Sequence, residues 1–337
     1  MSGDADEHRL DEAAHESRRQ RHAREALETT SPAERPRAIL LAGQPGAGKS
    51  ALRAQALREA PSEEGAVLVD IDELRVSHPA YRRLSLANDR AAAGQVQHDA
   101  GRWGDELIHD AAEARRNIVV DGTLKSPDKA EALCRDLKAR GYHVEVWALA
   151  VRREDSELGV HLRYERQKAK GKPGRWPPEP VRDAAYEGMP RAVDQIERSG
   201  AADRVRAFGR ATEAGAPPRA LYDSAAGGRS AAGAIAKERA RKRLPTEQAA
   251  HDRDREELRA HVLNRDPELI EPESRRAMEI AKGRSREADA LDRAAAPERD
   301  RWGDRRGPSQ EATAPNVWGD EPGRPDKTPR PGGGRTR

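Results

Sequence analysis

The sequence predicts an α/β fold in which a parallel sheet is flanked by helices, with a helical and then disordered extension at the C-terminus. Compact apolar runs alternate with helix-period segments between about residues 36 and 212. The first run passes directly into a glycine-rich loop that opens a helix, and after Tyr222 the only aromatic residues are Trp302 and Trp318.

Residues 1–35 are charged and alanine-rich, with Leu10, Ala14 and Ala26 as sparse apolar points. They read as an exposed helix or a disordered appendage. Strands are expected at Arg37 to Ala42, Ala66 to Ile71, Asn117 to Asp121, Val144 to Val151 and Arg204 to Phe208, each a short apolar or β-branched run. Ser126-Pro127 supplies an N-cap and a first-turn proline. Ala130, Leu133, Cys134 and Leu137 then recur at helical spacing until Gly141. Cys134 falls on that apolar face as inert packing, and His161 is expected to face solvent. Residues 213–295 are expected to form a charged helical extension, in which residues 230–295 alternate Arg, Glu, Ala and Leu and are broken at Pro245, Pro267 and Pro272, which predicts short, weakly docked helices. Residues 296–337, rich in Pro, Gly, Arg and Asp, cannot bury enough surface to offset chain entropy and are expected to be disordered.

Of the 337 residues, 62 are Lys or Arg and 59 Asp or Glu, for a net charge of +3. No global excess of charge points to nucleic acid or to a membrane surface. A single cysteine excludes an intrachain disulfide, and no apolar run approaches a membrane span. The acidic start lacks a signal-peptide core, so the expected setting is cytoplasmic.

After the first strand comes Gly43-Gln44-Pro45-Gly46-Ala47-Gly48-Lys49-Ser50, the G-x-x-x-x-G-K-[ST] pattern of a P-loop NTPase or kinase core. Glycines let backbone N–H groups curl around a phosphate, Lys49 brings a positive charge to the β/γ oxygens, and the Ser50 hydroxyl suits Mg²⁺. The expected ligands are therefore ATP and Mg²⁺. A P-loop does not specify what becomes of the phosphoryl group. Asp70 and Asp72 leave the second strand at i, i+2. Asp72, at the strand exit, is the expected base for an attacking hydroxyl, with Asp70 as a supporting or metal-shell residue. Asp121 ends the third strand at the position where a carboxylate reaches the metal shell or a substrate. Leu158 to Pro178 carries Arg163, Arg166, Lys168, Lys170, Lys172 and Arg175 with few acids, and reads as a basic lid over the phosphates.

Taken together, the Gly43 to Ser50 loop, Asp70-Ile-Asp72-Glu-Leu-Arg-Val-Ser-His78-Pro79 and Val120-Asp121-Gly122-Thr123 resemble the zeta-toxin family of bacterial toxin–antitoxin systems, over about residues 36–212. The resemblance implies an ATP- and Mg²⁺-dependent kinase that phosphorylates the 3′-hydroxyl of the N-acetylglucosamine of UDP-N-acetylglucosamine and so starves cell-wall synthesis. It also implies a small helical antitoxin partner. By the same resemblance Lys49 and Ser50 serve phosphate and metal, and Asp72 is the base. Arg163 and Arg175 hold the ATP phosphates and the transition state. Glu106, Asp121 and Thr123 contact the sugar nucleotide, with Asp121 standing where the family has glutamate. Two alternatives stay open. One is a kinase for another small-molecule or polynucleotide hydroxyl. The other is an ATP-switched module that grips nucleic acid through residues 213–337. The N-terminal helix is also a candidate for covering the ATP site in cis.

Overall fold

The computed structural model describes residues 7–59, 63–211, 216–228 and 230–263. Its six strands form one sheet in the order β2-β3-β1-β4-β5-β6. They are β1 (Arg37–Ala42), β2 (Val67–Asp70), β3 (Ile118–Asp121), β4 (His143–Ala150), β5 (Arg204–Gly209) and β6 (Arg219–Asp223). The first five are parallel, and β6 pairs antiparallel with β5. Between them run α1 (Glu12–Glu28), α2 (Ser50–Glu59), α3 (Ile71–Val76), α4 (Tyr81–Ala87), α5 (Ala92–Gln95), α6 (Gln97–Glu113), α7 (Pro127–Ala139), α8 (Arg153–Ala169), α9 (Glu179–Ser199), α10 (Ala231–Ala240) and α11 (Pro245–Leu263).

The strand period of two divides the core. Ala38, Leu40 and Ala42 of β1 point to one face, where α6, α7, α9 and α10 contribute Leu107, Leu133, Val193 and Ile235. Ile39 and Leu41 point to the other face, covered by Ala47, Leu52 and Ala56 of the loop and α2. Both faces are thus dry, which is why the strands read as unbroken apolar runs. Asp70 pairs in register with Asp121, and Leu41 with Asp121. The carboxyl ends of β2, β3 and β1 therefore finish level, at the edge where open α/β sheets bind ligands.

The five expected strands are present within a residue or two. The expected core boundary at residue 212 falls inside the sheet, because β6 extends it and α10 buries Ala231 and Ile235 completely. The small residues of α10 gave too little apolar signal to reveal this. Nor is the N-terminal segment an appendage. His15 of α1 is fully buried and stacks on Trp103 of α6 at 5.3 Å. The docking is largely polar, with Leu10 N–H donating to Asp99 at 3.1 Å, Arg19 to Asp110 at 2.6 Å and Arg18 to the Ser77 carbonyl at 2.8 Å, and Ala26 and Leu27 add half-buried apolar contacts to the core. Helix α1 packs on α6, with further contacts to β2 and to the turn after α3.

Beyond the expected boundary, α11 packs Leu258 and Val262 against Leu158 and Leu162 of α8. Residues 264–337, with the expected disordered tail and its two tryptophans, lie outside the described residues. Among the described residues, no helix is long and apolar enough to cross a membrane.

Candidate active site

The loop between β1 and α2 has the backbone its glycines permit, with φ of +79° at Gly46 and +89° at Gly48. Gly46 also packs against α8, where an added Cβ would lie 2.0 Å from the Ser156 carbonyl oxygen. Gly159 answers from the helix, its added Cβ falling 2.5 Å from the Gly46 oxygen. Gln44 is buried and donates to the Val151 carbonyl at 2.9 Å, which ties the loop to the end of β4. Lys49 Nζ donates to the Gly43 carbonyl at 2.9 Å and sits 3.5 Å from Asp121 Oδ1. Ser50 opens α2 and is exposed.

The two aspartates at the end of β2 and the start of α3 have different partners. Asp70 caps α3, accepting from the Asp72 N–H at 2.9 Å, and takes Arg53 at 2.5 Å. Burial and the neighbouring Asp72 and Asp121 carboxylates raise its pKa above the ordinary range. Asp72, one step into α3, is paired with Arg75 and accepts from Arg175 Nη1 at 3.3 Å. Burial works to raise its pKa, but the cations of Arg75, Arg175, Arg163 and Lys49 together hold it below the ordinary value. It is an ionised acceptor at neutral pH.

Arg163 has a buried Nε with no hydrogen-bond partner, and burial lowers its pKa despite the nearby Asp72 carboxylate. A cation kept partly unpaired beside a phosphate loop is suited to an anionic ligand. The basic lid is otherwise divided. Arg175 N–H donates to Gln167 at 2.7 Å, Lys168 donates to Asp89 at 2.9 Å, and Arg166 pairs with Glu257 of α11 at 2.7 Å. His161 is buried edge-on against Trp176 at 5.0 Å, so the expectation that it faces solvent is corrected; the aromatic residue that shelters it lies beyond the helix end.

Asp121 Oδ1 is buried without a hydrogen-bond partner. Together with the Ser50 hydroxyl it supplies the hard oxygen donors that Mg²⁺ takes, so these residues fit a metal-bound triphosphate. Thr123 lies in the loop after β3, where Leu124 adopts φ +47° and is buried. The same loop is pressed by α9, since a Cβ on Gly188 would sit 2.0 Å from the Lys125 carbonyl oxygen. Glu106 is turned toward α1. It meets His15 Nε2 at 3.0 Å and accepts from Arg102 at 3.3 Å, so this carboxylate already has protein partners.

Two side chains that sequence reasoning missed hold the site together. Asp89 accepts from Tyr164 at 2.9 Å, Lys168 at 2.9 Å and the Gly174 N–H at 2.8 Å, fastening the Arg175 loop to α8. Arg210, just after β5, donates to the Gly46 carbonyl at 2.6 Å and the Ala47 carbonyl at 2.9 Å. No local pattern marks either residue.

Toxin zeta of Enterococcus hirae is 26% identical over 204 residues, which is 60% of this chain and 71% of that protein. Toxin PezT of Streptococcus pneumoniae is 29% identical over 145 residues, 43% of this chain and 56% of that protein. A solved structure from the PezAT chromosomal toxin–antitoxin system of Streptococcus pneumoniae superposes with a TM-score of 0.67 at 22% identity, covering 77% of this chain and all of that one, and so shares its fold. The sequence pattern of the family described as "Zeta toxin" matches residues 20–224, a span that includes the phosphate loop, both aspartates, Arg163 and Arg175, and the chain therefore belongs to the zeta toxin family.

Proposed function

We propose that the protein is an ATP- and Mg²⁺-dependent kinase that transfers the γ-phosphoryl group to the 3′-hydroxyl of the N-acetylglucosamine of UDP-N-acetylglucosamine, and acts as a toxin against cell-wall synthesis. The observation that carries this reading is Asp72. An ionised carboxylate stands among Lys49, Arg163 and Arg175, beside a loop shaped for phosphate. Asp72 accepts the hydroxyl proton as the new P–O bond forms, while Lys49, Arg163 and Arg175 offset the charge on the transferred group. Ser50 and Asp121 would hold Mg²⁺, which when bound neutralises charge on the phosphate oxygens. Asp121 and Thr123 are the proposed sugar-nucleotide contacts. Glu106 is included by family resemblance, although its carboxylate is committed to His15 and Arg102. A small helical antitoxin is the proposed partner, and the cytoplasm the proposed setting.

A kinase for a different hydroxyl shares every one of these residues, and only the acceptor separates the two. The nucleic-acid module is disfavoured for the described part of the extension, where Arg219, Arg241 and Arg243 are paired with Glu238, Glu247, Glu154 and Asp155. ADP release measured with a mixture of nucleotide sugars, with mass spectrometry of the product, tests the proposal. ADP release that does not depend on UDP-N-acetylglucosamine would refute the assigned acceptor.

A further inference from the structure

We propose that Arg210 is the positioning residue of the phosphate loop, and that the arm from Arg241 to Leu263, beyond the family-matched residues 20–224, braces it from behind. The inference rests on the reading that Gly43 to Ser50 binds a nucleotide. A loop that turns N–H groups toward phosphate must turn the carbonyls of the same peptides away, and buried carbonyls need donors. One guanidinium supplies them. Arg210 Nη2 donates to the Gly46 oxygen at 2.6 Å and Nε to the Ala47 oxygen at 2.9 Å. In a trans peptide the N–H lies opposite the C=O, so fixing the Ala47 carbonyl holds the Gly48 N–H on the side away from Arg210, while the Ala47 N–H closes the turn by donating to the Gln44 carbonyl at 3.1 Å. A lysine could place one point charge there but not a planar fork across two peptides.

Arg210 is itself held. Its Nη2 also donates to the backbone oxygen of Asp155, in the first turn of α8, at 3.1 Å. The Asp155 carboxylate accepts from Arg243 Nη2 at 2.8 Å, meets His251 Nδ1 at 2.8 Å and accepts from Arg152 at 3.3 Å. Arg243 reaches Glu154 as well, at 2.8 Å. Leu258 and Val262 then lay α11 along Leu158 and Leu162 of the same helix. A continuous chain of contacts thus runs from the arm through Asp155 and Arg210 to the Gly46 and Ala47 carbonyls of the phosphate loop.

The test uses the full chain. ATP affinity with Mg²⁺ is measured by calorimetry for the wild type, Arg210→Lys, Arg210→Met and the Arg243→Ala/His251→Ala double variant, alongside the KM of each substrate and the melting temperature. Arg210→Lys is expected to weaken ATP binding by about tenfold, with the acceptor KM unchanged. The double variant should shift ATP affinity about threefold in the same direction. ATP affinity within twofold of wild type in Arg210→Lys would overturn the positioning role, and an unchanged double variant would overturn the bracing. Hydrogen exchange on the wild type provides a measurement independent of variant folding. The Gly48 amide, exposed in the free protein, should become protected when ATP and Mg²⁺ are added, and ATP binding that leaves its exchange unchanged would contradict the inference. A wild-type protein that binds no ATP would instead sink the kinase reading itself.

Discussion

His15 links the N-terminal helix to the element that carries Asp72, and its charge makes that link depend on pH. The ring is fully buried, with Nδ1 3.1 Å from Asp99 and Nε2 3.0 Å from Glu106. Burial opposes the charged form, but the bonds to Asp99 and Glu106 outweigh it and raise the pKa from 6.5 to about 9. Asp99 also faces His78 at 3.4 Å, and the α3 residues Ile71 and Leu74 pack with Trp103, so α1, α6 and α3 form one polar and apolar cluster. A folded-state pKa above the unfolded value stabilises the native state fully below the unfolded pKa, and the stabilisation is lost as pH rises through the folded pKa. The window here runs from 6.5 to about 9. Because a tenfold change in proton affinity is worth about 1.4 kcal/mol, His15 contributes roughly 3 kcal/mol at the acid end of that window. Urea unfolding of the wild type and of His15→Gln, at pH values across the same range, isolates the contribution. The wild-type advantage should shrink by roughly that amount as pH rises. A difference between the two proteins that stays flat with pH would show that His15 is not held protonated between its two carboxylates.

Other perturbations test the site directly. Asp72→Asn should leave ATP binding intact and lower turnover by about a hundredfold or more, read by calorimetry against ADP release; undiminished turnover would remove Asp72 from the base role. Gly188→Ala drives a methyl group into the Lys125 carbonyl, 2.0 Å away, and should cost about 1–3 kcal/mol of stability while raising the acceptor KM more than the ATP KM, because the displaced loop carries Thr123. Cys134 is buried with its thiol pKa pushed up to about 12 by desolvation, so alkylating reagents should label it only when the protein unfolds.

The legible parts of this chain were those with local causes. Strands buried on both faces announce themselves as apolar runs, and the loop from Gly43 to Ser50 is read directly because its chemistry requires fixed spacing. Strand β6 was missed because Arg219 to Asp223 is a half-exposed antiparallel edge whose apolar run, Ala220 to Tyr222, is only three residues long and is bounded by charges. The docking of α1 was missed because it is made by histidine, arginine and carboxylates rather than a stripe of leucines. Asp89 reaches a backbone amide 85 residues away and Arg210 a carbonyl 164 residues away, separations at which local periodicity carries no information. The Asp70 and Asp72 pair shows the boundary between the two cases. Both are visible as candidates, Asp72 at the strand exit as the expected base and Asp70 in support, but the capping bond to the Asp72 N–H and the pairing of Asp70 with Arg53 are legible only in the structure.

The meeting of Gly46 with Gly159 has a mechanical result. At either position a β-carbon would strike backbone, not a side chain that could swing aside. No rotamer change would relieve that collision, so the close approach of the turn to the helix behind it requires glycine at both positions, and a substitution at either would force the two backbones apart.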